Sequence, residues 1–205
     1  MLVGKWNKSV ILTYVGMAIA VLGMILAFSQ ERISYSFCCL MVAGICDLFD
    51  GAVARRCKRT EEEKQFGIQL DSLVDVVNFI ALPICISISI GLTHIWDIAI
   101  LILFAIAGVA RLAYFNIVAD SEGPVKYYLG LPVTYSALIF PVLYLLRLIL
   151  NDNIFLPVYS CGIVVVAVLE VLKVKMPKPK GIWYGIFGVL AIAMLAVFLC
   201  LCDVL

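Results

Sequence analysis

Seven apolar runs of roughly 20 residues follow one another along the chain of 205 residues, and their length limits what it can fold into. An α-helix needs about 20 predominantly apolar residues to cross the hydrocarbon core of a bilayer. Hydrophobic residues make up 64% of the sequence and charged residues 14%, against about 45–50% and about 25% in soluble domains. The sequence therefore predicts a polytopic membrane protein.

The predicted fold is all-α, a transmembrane bundle of about seven spans. The segments run roughly over residues 9–28, 33–55, 67–92, 96–118, 131–150, 155–173 and 182–203. The loops between them are short, so we expect residues 1–205 to form a single integral-membrane domain. A six-span alternative, which omits the last segment, leaves the earlier loops unchanged.

The positions of the basic residues predict how the bundle is oriented. With the N-terminus inside, thirteen lysines and arginines fall on the inner side, and only Arg32 and Arg147 fall toward the outside. This bias is typical of cytoplasmic loops. We expect a multi-pass protein of a prokaryotic cell membrane. A net charge of +1 excludes a broad basic surface for nucleic acid.

Four aspartates interrupt the apolar pattern where the second segment ends and the third begins: Asp47, Asp50, Asp71 and Asp75. Within each pair the spacing of three or four residues places both side chains on one helix face. Acidic residues inside spans are functional by default. Four adjacent carboxylates need cations to stay ionised, and their oxygens suit Mg²⁺, Mn²⁺ or Ca²⁺. The alternative is a salt-bridged helix end that faces water.

The spacing of these aspartates resembles a known signature. Residues 47–55 read DLFDGAVAR and residues 67–75 read GIQLDSLVD. Together they carry every fixed position of DxxDGxxAR…GxxxDxxxD, and the chain is identified by this resemblance as a member of the CDP-alcohol phosphatidyltransferases. That family has a six-helix core, so the seventh segment would be an additional C-terminal helix. The resemblance also implies a homodimer.

The resemblance implies a role for each motif residue. The four aspartates would hold two divalent cations, Mg²⁺ or Mn²⁺, that bridge the pyrophosphate of a CDP-linked lipid. Asp75 would also be the catalytic base that takes the proton from the acceptor hydroxyl. The site of the CDP-lipid would be lined by Gly51, Ala54, Arg55 and Gly67.

Three further stretches are similar to the phosphatidylserine synthase branch of the family. Residues 66–79, 111–116 and 130–133 resemble its FGxxLDSLxDxxSF, RLAxFN and GLPxP stretches. The implied reaction transfers a phosphatidyl group from CDP-diacylglycerol to L-serine and releases CMP. Arg111 is the candidate partner of the serine carboxylate, or else a structural partner of an acid in the bundle. Asn116, which alternatively caps a helix end, and Asn78 are the other candidate acceptor-binding residues.

Two alternative functions stay open. Glycerol 3-phosphate or another polar alcohol could replace serine as acceptor, although a phosphate dianion calls for a cluster of basic groups. A cation-linked transporter would also carry acids within its spans. It predicts acids near the middle of the bilayer and interruptions in matched halves of the chain, whereas these aspartates cluster toward one face.

Overall fold

The computed structural model describes residues 4–29, 33–122, 127–177 and 182–201. Over these residues the protein is a helical bundle, which confirms the predicted fold class. Its helices are α1 (Ile11–Ala27), α2 (Ile33–Arg56), α3 (Glu61–Asp75), α4 (Leu82–Ser89), α5 (Ile95–Glu122), α6 (Ser136–Leu145), α7 (Asp152–Val171) and α8 (Ile182–Leu201).

Five helical segments among the described residues are long and apolar enough to cross a membrane: 8–27, 33–56, 61–89, 95–117 and 152–171. Two shorter apolar helices, 133–148 and 188–200, account for the other predicted segments. The third segment begins at Glu61 rather than near residue 67. Thr60 caps it: the Thr60 hydroxyl accepts from the Glu63 N–H at 3.3 Å, and the Glu63 carboxylate accepts from the Thr60 N–H at 2.8 Å, the reciprocal pair of a capping box.

A stripe of small residues brings α1 against α2. Thr13, Gly16, Ala20, Gly23 and Ala27 are the buried residues of α1, and their spacing of three or four residues places them on one face. A Cβ atom at Gly23 would lie 2.8 Å from the Cβ of Cys39 in α2. Small residues of this kind let transmembrane helices approach closely. This approach brings Thr13 to the aspartates of α2.

A π-helical segment, Val76–Ala81, joins α3 to α4 directly after Asp75. Pro83 has no N–H with which to bond the carbonyl of Phe79, four residues earlier. The hydroxyl of Ser136 at the start of α6 shares its hydrogen between that carbonyl, at 3.1 Å, and the Val133 carbonyl, at 2.6 Å. Serine side chains commonly satisfy backbone groups freed by proline in membrane helices. The bond therefore ties α6 to the helix that carries two of the aspartates.

An aromatic cluster joins α2, α6, α7 and α8 at the end of the bundle away from the aspartates. The Phe37 ring lies 4.5 Å from the Tyr144 ring and 5.6 Å from the Phe198 ring, and Tyr144 lies 5.9 Å from Phe155, measured between centroids. All four side chains are almost fully buried. Edge and tilted contacts of this kind add to the gain from burial.

A two-stranded antiparallel ribbon, absent from the all-α prediction, pairs β1 (Tyr127–Leu129) with β2 (Lys175–Pro177). Strands of three residues are too short to show a period-two pattern, and their pairing depends on α5 and α7 packing side by side. Gly130 follows β1 with a positive φ of 76° and donates from its N–H to the Val174 carbonyl at 3.0 Å. There the chain turns onto the end of α7.

We predict that Gly130→Ala destabilises the bundle. A positive φ costs a residue with a Cβ about 1–2 kcal/mol, and that Cβ would lie 2.5 Å from the backbone oxygen of Glu170. The free energy of unfolding should fall by more than this strain alone, measured as a lower midpoint of thermal unfolding in detergent. Gly185→Ala is the matched control, since no described atom lies within 4 Å of its added Cβ. Equal midpoints for the two variants would contradict the prediction.

Candidate active site

The four aspartates predicted to form a metal site lie together between α2 and α3. One carboxylate oxygen from each of Asp47, Asp71 and Asp75 lies within 4.8 Å of the others. Asp47 faces Asp75, and Asp50 faces Asp71, so that each carboxyl group of α2 interacts electrostatically with one of α3. α1 packs against both α2 and α3, and the side chains of the two aspartate pairs converge as predicted.

Asp50 is held by α1 as well as by its own helix. The Thr13 hydroxyl donates to Asp50 Oδ2 at 3.0 Å. Both Thr13 and Asp50 are 8% exposed. Hydrogen bonds to a ligand from its surroundings fix its orientation and its basicity. The sequence analysis did not identify Thr13, because the contact depends on how closely α1 approaches α2.

All four aspartates open onto a cavity of about 400 Å³. Two of the predicted CDP-lipid residues, Gly51 and Arg55, also line it. Its apolar wall is formed by Met41, Ile45, Leu48, Ile68, Leu112, Leu138 and Ala191. A ligand with a charged group at one end and a hydrocarbon body matches this division.

The far side of the cavity carries the predicted acceptor residues of α5. Arg111 lines the cavity, is 8% exposed, and its guanidinium carbon lies 5.6 Å from the centre of the Phe115 ring. Asn116 also lines it, and the Ser72 hydroxyl donates to Asn116 Oδ1 at 3.0 Å. Because α5 continues to Glu122, Asn116 does not cap a helix end. Ser72, Thr134 and Tyr135 are cavity residues that the sequence analysis missed.

Three predicted site residues lie away from the cavity lining. Asn78 is 2% exposed and lies behind the aspartates, beside Thr13 and Gly16 of α1. Ala54 and Gly67 are also not among the lining residues. Their assignments to the acceptor and to the CDP-lipid therefore stay predictions.

The donor set fits a divalent metal ion. Four carboxylates line the cavity, and Arg55 and Arg111 are the two cationic side chains among its described lining residues. Carboxylates this close in a low-dielectric site repel one another unless cations lie between them. Hard oxygen ligands favour divalent cations such as Mg²⁺, Mn²⁺ and Ca²⁺. Asp47, Asp71 and Asp75 can hold such an ion.

Comparison with known proteins agrees with the motif and the cavity. Residues 6–174 match the CDP-alcohol phosphatidyltransferase family. The chain belongs to this family. It is therefore a phosphatidyltransferase, an enzyme that uses a CDP-linked lipid and an alcohol. The α8 helix lies beyond the matched residues, although its Ala191 lines the cavity.

Curated relatives of this chain carry the name CDP-diacylglycerol–serine O-phosphatidyltransferase. The Saccharomyces cerevisiae protein is 38% identical over 123 residues, which cover 56% of this chain and 44% of the yeast protein. A Helicobacter pylori protein is 30% identical over 175 residues, 80% of this chain and 70% of that protein. The Methanocaldococcus jannaschii protein is 32% identical over 155 residues, 75% of this chain and 70% of that protein.

We predict that Thr13→Val weakens metal binding by the phosphatidyltransferase. The variant keeps the shape of the side chain and removes the hydroxyl that bonds Asp50. Loss of such a supporting bond commonly costs about 10–100-fold in metal affinity or activity, so half-maximal CMP release should need about tenfold more Mg²⁺ or Mn²⁺.

Two further variants serve as controls for this measurement. Thr13→Ser keeps the hydroxyl and should retain near-normal metal dependence, whereas Asp71→Asn removes a ligand and should abolish CMP release. If Thr13→Val and Thr13→Ser titrate alike, the hydroxyl does not support the metal site.

Proposed function

We propose that the protein transfers the phosphatidyl group of CDP-diacylglycerol to the hydroxyl of L-serine and releases CMP. The observation that carries the proposal is the cavity that joins four aspartates, an apolar wall and a buried arginine. In the reaction the serine oxygen forms a bond to the lipid-side phosphorus as the bond from that phosphorus to CMP breaks. The serine hydroxyl gives up its proton, and CMP leaves with the bonding electron pair.

The proposed cofactors are two divalent cations, Mg²⁺ or Mn²⁺, held by Asp47, Asp50, Asp71 and Asp75. When bound, such ions neutralise charge on the phosphates and orient them for in-line displacement. Arg55 lies at the cavity lining and is electrostatically attracted to Asp50, so its guanidinium can also contact a phosphate. Its several N–H donors suit phosphate oxygens.

Asp75 is the proposed base. It is 8% exposed and lines the cavity opposite Asp47, where an acceptor hydroxyl can approach it. A general base has to be within hydrogen-bonding reach of the proton that it removes. Gly51 at the same lining leaves room for the nucleotide: among the described residues, an added Cβ there would have the Arg55 side chain, at 3.4 Å, as its one neighbour within 4 Å.

Arg111 is the proposed partner of the serine carboxylate. It is buried, so a charge-assisted hydrogen bond there is little weakened by water. The described cavity lining has two cationic side chains, Arg55 and Arg111. Arg55 lies near the proposed phosphate end, so Arg111 is the one available to the acceptor. A single arginine suits a carboxylate, whereas glycerol 3-phosphate would bring a dianion. The names of the relatives also favour serine.

We predict that Arg111→Ala raises the KM for serine at least tenfold. A hydrogen bond to a charged group is worth about 1.5–3 kcal/mol, and 1.4 kcal/mol is a factor of ten. The KM for CDP-diacylglycerol should change much less, because the aspartates and Arg55 bind the nucleotide end. CMP release by purified protein, with serine and with glycerol 3-phosphate as competing acceptors, measures both effects.

Two outcomes would count against this assignment. An unchanged serine KM with weakened CDP-diacylglycerol binding would place Arg111 at the nucleotide. Turnover of wild-type protein with glycerol 3-phosphate but not with serine would exclude serine as acceptor and leave the phosphatidyltransferase activity intact.

The proposed location is a prokaryotic cell membrane with the active site facing the cytoplasm. Arg55, Arg56 and Lys58 lie at or after the end of α2, close to the aspartates. The basic residues Lys126, Lys178 and Lys180, and the outward Arg32, lie outside the described residues. The homodimer implied by the resemblance stays a prediction.

Cysteine labelling tests this orientation. Replacing the eight native cysteines and introducing Lys58→Cys should give a protein that a membrane-impermeant thiol reagent labels only after lysis. Thr93→Cys, in the exposed turn between α4 and α5 at the opposite end, is the matched control and should react in intact cells. The reverse pattern would invert the orientation.

A further inference from the structure

Glu170 is a buried carboxylate that the mechanism above does not use. It lies near the end of α7, in the apolar stretch VVVAVLEVL (residues 164–172), and is 2% exposed. Among the described residues neither carboxylate oxygen has a hydrogen-bond partner. A buried acid is costly unless a cation compensates it, and within a membrane span it points to a function.

Arg111 is the cationic side chain that attracts the Glu170 carboxylate electrostatically. The geometry explains why. A Cβ atom added to Gly108 of α5 would lie 3.5 Å from Glu170 Oε2, and Arg111 follows Gly108 by three residues, on the same helix face. The missing side chain at Gly108 thus leaves space for the carboxylate one turn from the guanidinium.

The backbone on either side of Glu170 supports the cavity wall. The Leu131 N–H donates to the Leu169 carbonyl at 2.9 Å, and Gly130 packs against the backbone of Glu170. The chain then enters the cavity lining at Pro132. Glu170 therefore lies directly behind the wall that contains the acceptor end of the cavity.

Two acids attract Arg111. Asp47 of the metal site attracts it, and so does Glu170 from α7. Without Glu170 the net pull on the guanidinium would be toward the aspartates, where it would pair with a metal ligand. Two bound divalent cations would neutralise the four carboxylates, and Glu170 would then be the acid that attracts the guanidinium. In either state, Glu170 opposes displacement of the guanidinium from the acceptor end.

We propose that Glu170 is a positioning residue for Arg111: its negative charge holds the guanidinium at the acceptor end of the cavity, ready for an anionic group on the acceptor. The identity of that group, the carboxylate of serine, rests on the function proposed above. The attraction between Glu170 of α7 and Arg111 of α5 does not depend on which acceptor the enzyme uses.

The first test separates positioning from general stability. Glu170→Gln keeps the volume and removes the charge, and it should raise the serine KM about tenfold, the scale of a lost charge-assisted contact, with the CDP-diacylglycerol KM within about twofold. Glu170→Asp keeps the charge and should recover most of the serine affinity. Ser160→Ala is the matched control on α7: it removes a half-buried hydrogen bond to Asp97 and should leave the serine KM unchanged.

The second test asks whether Glu170 acts through Arg111. In an Arg111→Ala background, Glu170→Gln should cause no further rise in the serine KM. Thermal unfolding of the wild type, the two single variants and the double variant gives a double-mutant cycle. This cycle measures the interaction between Glu170 and Arg111 without any acceptor. The double variant should unfold at a higher temperature than the sum of the single shifts predicts, because removing both charges leaves neither one buried alone.

Three results would overturn the proposal. One is a normal serine KM in Glu170→Gln together with a lowered unfolding midpoint, which would mean a purely structural role. Another is an equal rise in the serine KM whether or not Arg111 is present. The third is additive unfolding shifts. If wild-type protein releases no CMP with serine, the proposed acceptor is wrong, and the unfolding cycle alone decides whether Glu170 holds Arg111.

Discussion

Repulsion among four carboxylates inside an apolar bundle is the constraint on which the rest of the structure depends. Asp47 and Asp50 face Asp71 and Asp75 across two helices, in surroundings that screen charge poorly. Such a group is stable only with cations among the oxygens and hydrogen bonds behind them. The cavity has room for the cations, and the Thr13 hydroxyl supplies one of the hydrogen bonds.

Backbone geometry makes this convergence possible. The small residues of α1 let that helix approach α2 closely enough for Thr13 to reach Asp50. On the other side, the π-helical segment after Asp75 and the proline that follows it leave the Phe79 carbonyl free to bond Ser136 of α6. Both devices fix the helices that carry the carboxylates, so the acidic site is held by its surroundings rather than by contacts among the acids.

The two ends of the cavity differ in how their positive charge is held. Arg55 lies at the end of α2 beside the aspartates, where we propose that it contacts a phosphate of the nucleotide. Arg111 is more deeply buried and is attracted by both Asp47 and Glu170. In the proposed arrangement, attraction by Glu170 of α7 keeps the Arg111 guanidinium of α5 in place when a charged acceptor arrives or leaves.

The sequence by itself determined the membrane bundle, its seven apolar segments, the acidic motif and the reaction class, because hydrophobic run length and motif spacing are local properties. Only the tertiary structure decided which residues meet. Thr13 and Glu170 are separated from Asp50 and Arg111 by tens of residues, and no local pattern encodes the approach of α1 to α2 or of α7 to α5. The position of Glu170 as a single acid in an apolar run indicated a functional residue. Its partner, Arg111, could not be found in the sequence because the contact depends on how α5 and α7 pack. The same holds for Asn78, which the motif places near the acceptor and the fold places behind the aspartates.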